Sequence, residues 1–271
     1  MIVSSSYKDL DLDSSDRLQQ LHGVWQFQDY SGLHDLNALI TEDFPSMICG
    51  VYTHTFLYET DAQAPKAFLN LEGAESCFSV WLNGEYLGYG PGIRTNCEFD
   101  VTEKLVEGEN VLAVLAGKSD SGNFRKSREM LCPCCIFDRA YLLKRPEQHI
   151  RDYFVTNLVA DGEVSLRIMV SFADHSVPVA IKLLNADNNV VAHGWIQAAE
   201  SATSFTHQAI LRVKQPILWN PEAPYLYTLL MESPDEVIVD RVAIRQVCVD
   251  DNKLYLNGHS VKLAGVRDPK K

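Results

Sequence analysis

The stretch that decides the fold is Trp81–Asp100, WLNGEYLGYGPGIRTNCEFD. Asn83-Gly84 lies between two short runs of strand-forming residues. Asn and Gly both accept positive φ, as a two-residue type I′ turn requires, and the twist of that turn matches two antiparallel strands. Gly88, Gly90 and Gly92 add positions where backbone can pass close to neighbouring strands. The stretch therefore reads as a hairpin. EYLGYGPG has no following Lys-Ser/Thr, so a phosphate-binding loop is not expected.

Strand signals continue on both sides. GVYTHTFLYET alternates polar with aromatic or β-branched residues from Val51 to Glu59, the period of a half-buried strand. KAFLNLEG (Lys66–Gly73), CFSVWLNG (Cys77–Gly84) and NVLAVLAG (Asn110–Gly117) follow at short spacing, and IFDRAYLLKRP closes the series at Pro146. The one short helix expected before residue 150 is DLNALI, Asp35–Ile40. Many short strands with Gly, Pro and Asn turns predict an antiparallel sandwich of jelly-roll type. KRPEQHIRDY then reads as a break. The pattern restarts with IRDYFVTNLV, EVSLRIMVSF, VPVAIKLLNADNNVVAHGWI, SFTHQAILRV and YLYTLLMES, with a turn at Asn185–Asn189. These strands predict a second, immunoglobulin-like sandwich. A last hairpin, YLNGHSVK, turns at Asn257-Gly258.

The bulk properties fit two ordinary domains. The chain has 271 residues, 46% of them hydrophobic and 22% charged. Its formal net charge of −12 repels phosphate backbones and anionic lipid, so neither nucleic acid nor a membrane is an expected partner. A neutral ligand meets no such barrier. The seven cysteines, an odd number, and an acidic first stretch without a basic n-region point to reduced thiols and a cytoplasmic protein.

The order of motifs identifies a family. LHGVWQFQ, WLNGEYLGYGPGIRTNCEFDVTEKLVEGENVLAV, IFDRAYLLKRPEQHIRDYFV, ILWNPEAPYLYTLLM and VCVDDNKLYLNGHSVKLAGV occur in succession between Leu21 and Val266. The series resembles the N-terminal part of glycoside hydrolase family 2, and looks closest to its β-galactosidases. The resemblance implies an all-β chain: a galactose-binding-like jelly-roll sugar-binding domain over 1–146, then an immunoglobulin-like sandwich over 147–248. Residues 249–271 are then a hairpin leading toward a (β/α)8 barrel, in the same or another chain.

What the resemblance implies about chemistry follows from that layout. A retaining glycosidase needs two carboxyl groups about 5–5.5 Å apart. In this family both are glutamates of the barrel, so no residue of this sequence is expected to be catalytic, and this stretch alone is not expected to hydrolyse glycosides. No metal ligand is expected either, since the Mg and Na ions of family enzymes are bound mainly through the barrel. The substrate-binding candidate is Asp120 in AGKSDSGNFRKSREMLCPCCIFD, although a gapless count back from CIFD selects Ser121. Here Lys118 replaces an expected aromatic, and Leu131 and Cys132 stand where Trp and Arg are expected. EDFPSMICGVYTHTF also lacks a long excursion that supplies an Asn to the sugar. The expected partners are a β-galactoside and the barrel, with an oligomer also compatible. The alternative is a stand-alone carbohydrate-binding or protein-interaction module built on that scaffold.

Other residues carry blander readings. Cys132, Cys134 and Cys135 in CPCC are spaced too tightly for a structural zinc site, and no His pair at i, i+4 completes one, so plain thiols are favoured over metal or a redox pair. Trp25 and Trp81 are expected in the core rather than as sugar platforms, and Trp219 in a structural connection. Arg94 and Glu98 are expected as a salt bridge rather than as sugar ligands.

Overall fold

The computed structural model describes residues 2–4, 15–29, 48–74, 77–91, 95–118, 137–160, 163–198 and 204–262. Twenty-one strands and no helix occur among them. The expected helix at Asp35–Ile40 lies outside the described residues. The chain divides into two compact units: Leu18–Arg145 forms one, while Met1–Arg17 joins Pro146–Arg267 in the other.

The first strand, β1 (Ile2–Ser4), thus belongs to the second unit, and the sequence had offered it as part of 1–146. It pairs antiparallel with a strand at Val237–Val242, in the register Ile2↔Val239 and Ser4↔Val237. A local knot of hydrogen bonds holds it there: Ser15 Oγ donates to the Val3 carbonyl, Arg17 N–H to Ser15 Oγ, and Ser4 Oγ to Asp16. The physical reason is the sheet edge, whose backbone groups need a partner.

The first sandwich contains β2 (Leu18–Gln20), β3 (Gln26–Asp29), β4 (Ile48–Tyr58), β5 (Lys66–Ala74), β6 (Cys77–Leu82), β7 (Glu85–Gly90), β8 (Thr95–Asp100), β9 (Gly108–Lys118) and β10 (Arg139–Arg145). One sheet runs β2-β10-β5-β8 and the other β3-β4-β9-β6-β7. Every pairing is antiparallel, and from β4 onward the chain crosses repeatedly between the sheets, as a jelly roll does. The period-2 pattern of the sequence becomes the pattern of burial. Ala67, Leu69 and Leu71 of β5 meet Phe78, Val80 and Leu82 of β6 and Leu112 and Val114 of β9 in one core.

The quoted hairpin forms as read. Asn83 and Gly84 have φ of 52° and 82°, and Leu82 pairs with Glu85 across them. Gly90 is required by packing: a Cβ there would lie 2.1 Å from the Phe78 ring, which covers the glycine directly opposite. The Asn83 side chain does more than permit the turn. The backbone N–H of Asn83 donates to the Val111 carbonyl (2.8 Å), and its side-chain Oδ1 accepts the Val111 N–H (2.9 Å). Its Nδ2 donates to the Lys104 carbonyl and to Asn110 Oδ1. Asn110 is fully buried, and its amide also bonds Val106 N–H, the Val106 carbonyl and the Gly108 carbonyl.

The second sandwich contains β11 (Ile150–Ala160), β12 (Glu163–Phe172), β13 (Ala180–Leu184), β14 (Val190–Trp195), β15 (Gln197–Ala198), β16 (His207–Val213), β17 (Tyr227–Glu232) and β18 (Val237–Val242). Its sheets are β1-β18-β17-β13-β14 and β11-β12-β16-β15, an immunoglobulin-like arrangement. The connection from β10 is short and held: His149 Nδ1 lies 2.8 Å from the Pro146 carbonyl, and the buried Glu236 accepts Ile150 N–H. β17 is buried on both faces, with Leu230 in a separate apolar cluster beside Leu184, Val237 and Val239. That is why YTLLME shows no alternation. The Asn185–Asn189 turn forms, with Asn185 Oδ1 accepting two N–H groups of its own loop.

A three-stranded meander closes the described chain: β19 (Val247–Asp250), β20 (Lys253–Leu256) and β21 (His259–Val261). Its turns are Asp251-Asn252 and Asn257-Gly258, all at positive φ. The sequence reading had found the second turn alone.

Replacing Asn110 by Leu keeps its volume but strands four polar partners in a buried site. Asn110→Leu is expected to destabilise the first sandwich by about 2–4 kcal/mol. Calorimetry should show one transition moving down while that of the second sandwich stays in place.

Candidate functional site

The strands of the first sandwich place its loops at two opposite ends. One end carries the Asn83-Gly84 turn, residues 59–65 between β4 and β5, and residues 101–107 between β8 and β9. The other is defined by register: Asp29 pairs with Gly50, Ile48 with Lys118, Gly117 with Cys77, Phe78 with Gly90, Ala74 with Thr95, and Arg139 with Glu72. These strand ends form a rim. They bracket the segments that hold Arg94, Asp120, Ser121, Cys132, Cys134 and Cys135, all six of which lie outside the described residues. The 11-residue β9 runs from one end to the other, roughly 33 Å. The Asn83-Gly84 turn is therefore at the opposite end of the sandwich from the rim.

The described part of the rim carries its own chemistry. Pairing places Glu72 beside Arg139, and Asn70 between Tyr141 and Glu98, on the outer face of the four-stranded sheet. Tyr141 is buried, and its hydroxyl donates to Glu72 Oε1 at 2.8 Å. The Arg139 guanidinium lies 5.5 Å from the Tyr141 ring centre. Burial, then the bond to Glu72, pushes the Tyr141 phenol far above its ordinary range, with Arg139 opposing and Glu98 reinforcing. Tyr141 thus keeps its proton and occupies one oxygen of Glu72, making that carboxylate a fixed acceptor. Behind it, Asp138 N–H donates to the Glu72 carbonyl, and the Asp138 carboxylate fills the space a Cβ of Gly73 would take, 2.2 Å away. Gly73 also has φ of 74°, so no other residue suits it. Fixed carboxylates, a guanidinium and amides fit a neutral, hydroxyl-rich ligand. No cluster of three or more metal-ligating side chains occurs among the described residues. The Cys97 thiol is pushed up by burial, away from thiolate character.

The tryptophans separate. Trp25 stacks on His54 with ring centres 5.0 Å apart and packs against the core, as expected. Trp81 does not enter the core. Phe78, Val80 and Leu82 point inward, so the parity of β6 sends Trp81 to the outer face of the five-stranded sheet. There it meets Tyr86 at 5.3 Å, and Tyr86 and Tyr89 are 55% and 49% exposed. The sequence reading missed this face, and the signal that finds it is parity counted from Leu82. Trp219 is structural: its N–H donates to the Ile244 carbonyl, its carbonyl accepts Asn257 Nδ2, and Arg245 lies over its ring. Glu98 is exposed on β8, where its carboxylate acts on Tyr141; its expected partner Arg94 is outside the described residues.

Comparison with known proteins covers both sandwiches. Residues 23–146 match the family model described as glycosyl hydrolases family 2, sugar binding domain, and residues 148–245 match the model described as glycosyl hydrolases family 2. A β-galactosidase of Staphylococcus xylosus is 31% identical over 253 residues, covering 89% of this chain and 24% of that protein. One from Alteromonas mediterranea is 31% identical, covering 80% of this chain and 22% of its own length. Among solved structures, a β-glucuronidase from Ruminococcus gnavus in complex with D-glucuronic acid superposes with a TM-score of 0.70 at 18% identity, over 98% of this chain and 52% of its own. A Bifidobacterium dentium β-glucuronidase gives 0.67 at 20% identity, over 90% and 51%. The chain thus spans about a quarter of these curated relatives and half of these solved chains.

Because its phenol is neutral in the fold and ionises near pH 10 when unfolded, Tyr141 contributes stability that is present below about pH 10 and lost as pH rises toward its raised folded value. Tyr141→Phe is expected to flatten the fall in stability above pH 10, measured by urea unfolding at stepped pH.

Proposed function

From the membership of this chain in glycosyl hydrolase family 2, whose sugar binding domain and following sandwich it carries, we propose that it is the non-catalytic β-sandwich part of a β-galactosidase-like hydrolase. Hydrolysis of the glycosidic bond then falls to two carboxyl groups of a barrel, in the same or another chain. This part contributes a sugar-facing edge at the rim, with Asp120 as its substrate ligand. The observation that supports the reading is the meeting, at one rim of the matched sugar binding domain, of the strand ends at Lys118 and Arg139 with the fixed Glu72 acceptor. The galactoside rather than the glucuronide is chosen because the relatives at 31% identity are β-galactosidases, whereas likeness at 18–20% speaks for the fold alone. A net charge of −12 also disfavours an anionic uronic acid.

One observation favours the second reading, a stand-alone carbohydrate-binding module: Trp81 lies beside the exposed Tyr86 and Tyr89 on the outer face of the five-stranded sheet, and aromatic rings offer apolar platforms to sugar rings.

Incubated with o-nitrophenyl β-galactoside, the 271-residue chain is expected to give no turnover above a buffer blank; hydrolysis by the purified chain would overturn the reading. Calorimetric titration with galactose is expected to show weak saturable binding that Asp120→Ala abolishes. Binding unchanged by Asp120→Ala and lost in Trp81→Ala would instead establish the second reading.

A further inference from the structure

Strands β13 and β14 carry an alternation whose outward members have no role in the function above. Ile181, Leu183 and Ala192 are buried, and a Cβ at Gly194 would lie 2.9 Å from Leu211 of β16. These four positions point into the second sandwich, so Ala180, Lys182, His193 and Trp195 take the opposite face. Strand pairing arranges that face in rows. Glu232, Ala180 and Trp195 lie side by side across β17, β13 and β14, and Lys182 and His193 occupy the next row. The ion pair between Lys182 Nζ and Glu232 Oε2, 2.5 Å long, shows that both side chains share this face.

The first row has a definite shape. Two strand spacings, roughly 10 Å, separate Trp195 from Glu232, with only the methyl group of Ala180 between them. Trp195 is 61% exposed, whereas indoles are on average well buried. The row is thus a shallow notch, bounded by an aromatic ring on one side and a polar pair on the other. Charge on the polar side is already balanced, because Lys182 neutralises Glu232. What remains there is hydrogen-bonding capacity of both kinds: carboxylate oxygens accept and ammonium hydrogens donate. The exposed His193 ring adds a further polar edge beside Lys182.

These features select a class of ligand. A sugar ring offers an apolar C–H face to an indole and hydroxyls that both donate and accept, so a neutral glycan matches the two sides at once. Ions match poorly. An anion meets Glu232 and a chain of net charge −12, and a cation meets the Lys182 ammonium. We propose that Trp195, Ala180, Lys182 and Glu232 form a binding site for a neutral oligosaccharide of at least two rings, carried by the second sandwich. The span sets the length: one ring meets one side of the notch alone. The inference does not depend on the hydrolase reading, whose sugar-facing rim belongs to the first sandwich.

The test uses the 271-residue chain carrying Asp120→Ala, titrated calorimetrically with lactose and with cellotetraose as neutral probes. Saturable binding of at least one probe is expected, weakened about tenfold or more by Trp195→Ala. Ala180→Leu fills the floor and leaves both sides of the notch in place, so it should weaken binding similarly without moving the thermal transition. Trp195→Tyr keeps an aromatic ring and should recover part of the affinity; Trp81→Ala should change nothing. Several results would overturn the site: no binding of either probe, binding indifferent to Trp195→Ala and Ala180→Leu, or binding lost in Trp81→Ala alone. A homodimer in sedimentation velocity that Trp195→Ala dissolves would do the same, since the ring would then belong to a contact between copies. The two readings fail separately. Galactose titration with Asp120 intact reports on the rim, whereas the longer probes in the Asp120→Ala chain report on Trp195.

Discussion

When a strand turns in two residues, the first turn residue leaves the ladder, and the backbone of the next strand over loses its partner. In this chain two asparagines supply that partner. Asn83 exchanges two hydrogen bonds with Val111, one through its own N–H and one through its side-chain oxygen; Asn257 does the same with Gln246. In both cases the remaining amide nitrogen reaches a third segment, at Lys104 and Asn110 or at Trp219. Each latch fixes the hairpin against a neighbouring strand as well as against itself, and so sets the register of β6 on β9 and of β20 on β19. A slip of one residue would turn Phe78, Val80 and Leu82 outward and bring Trp81 into the core. The first sandwich core depends on that register.

The need for positive φ at Asn83 and Asn257 was legible in the sequence, because it is a property of two adjacent residues. The latch was not, since Val111 lies 28 residues from Asn83 and Trp219 lies 38 from Asn257. The same distinction runs through the fold. Local strand signals revealed β4, β5, β6, β9 and β12. The pairing of Ile2–Ser4 with Val237–Val242 depends on an edge that becomes visible only after the second sandwich is assembled. Trp81 falls between the cases. Hydrophobic size suggested core, but strand parity, which was readable, overrides it. For the candidate site the family resemblance suggested Asp120, which lies outside the described residues, while Glu72, Arg139 and Tyr141 escaped notice because strand pairing alone brings them together.

The stretch Trp81–Asp100 spans both ends of the sandwich, and this resolves what it signifies. Its first part, Asn83-Gly84, sits at the latched end among Lys104, Val106, Gly108 and Asn110, where each side-chain amide is consumed by structure. Its middle brackets Gly92–Arg94, and from Thr95 it climbs β8 away from the rim, with Glu98 on the outer face. The hairpin half marks the architecture, while Gly90 and Thr95 mark the rim ends of β7 and β8.

Separation of the two ends also lets the rim vary without disturbing the fold. Residues more than about 10 Å apart that share no partners contribute to stability nearly independently. The latch network closes on itself: the Asn110 amide is satisfied by Val106, Gly108 and Asn83, with none of its bonds reaching toward the rim. The core between the ends is held by inward-facing side chains of β5, β6 and β9, whose pairing is already set by the latch. Lys118, where the family resemblance expects an aromatic residue, closes β9 at its rim end, roughly 33 Å from that network. Changing the chemistry of the rim therefore leaves the register untouched. Fold and family remain readable in this chain because the hydrogen bonds that set the register lie at the end of the strands opposite the rim.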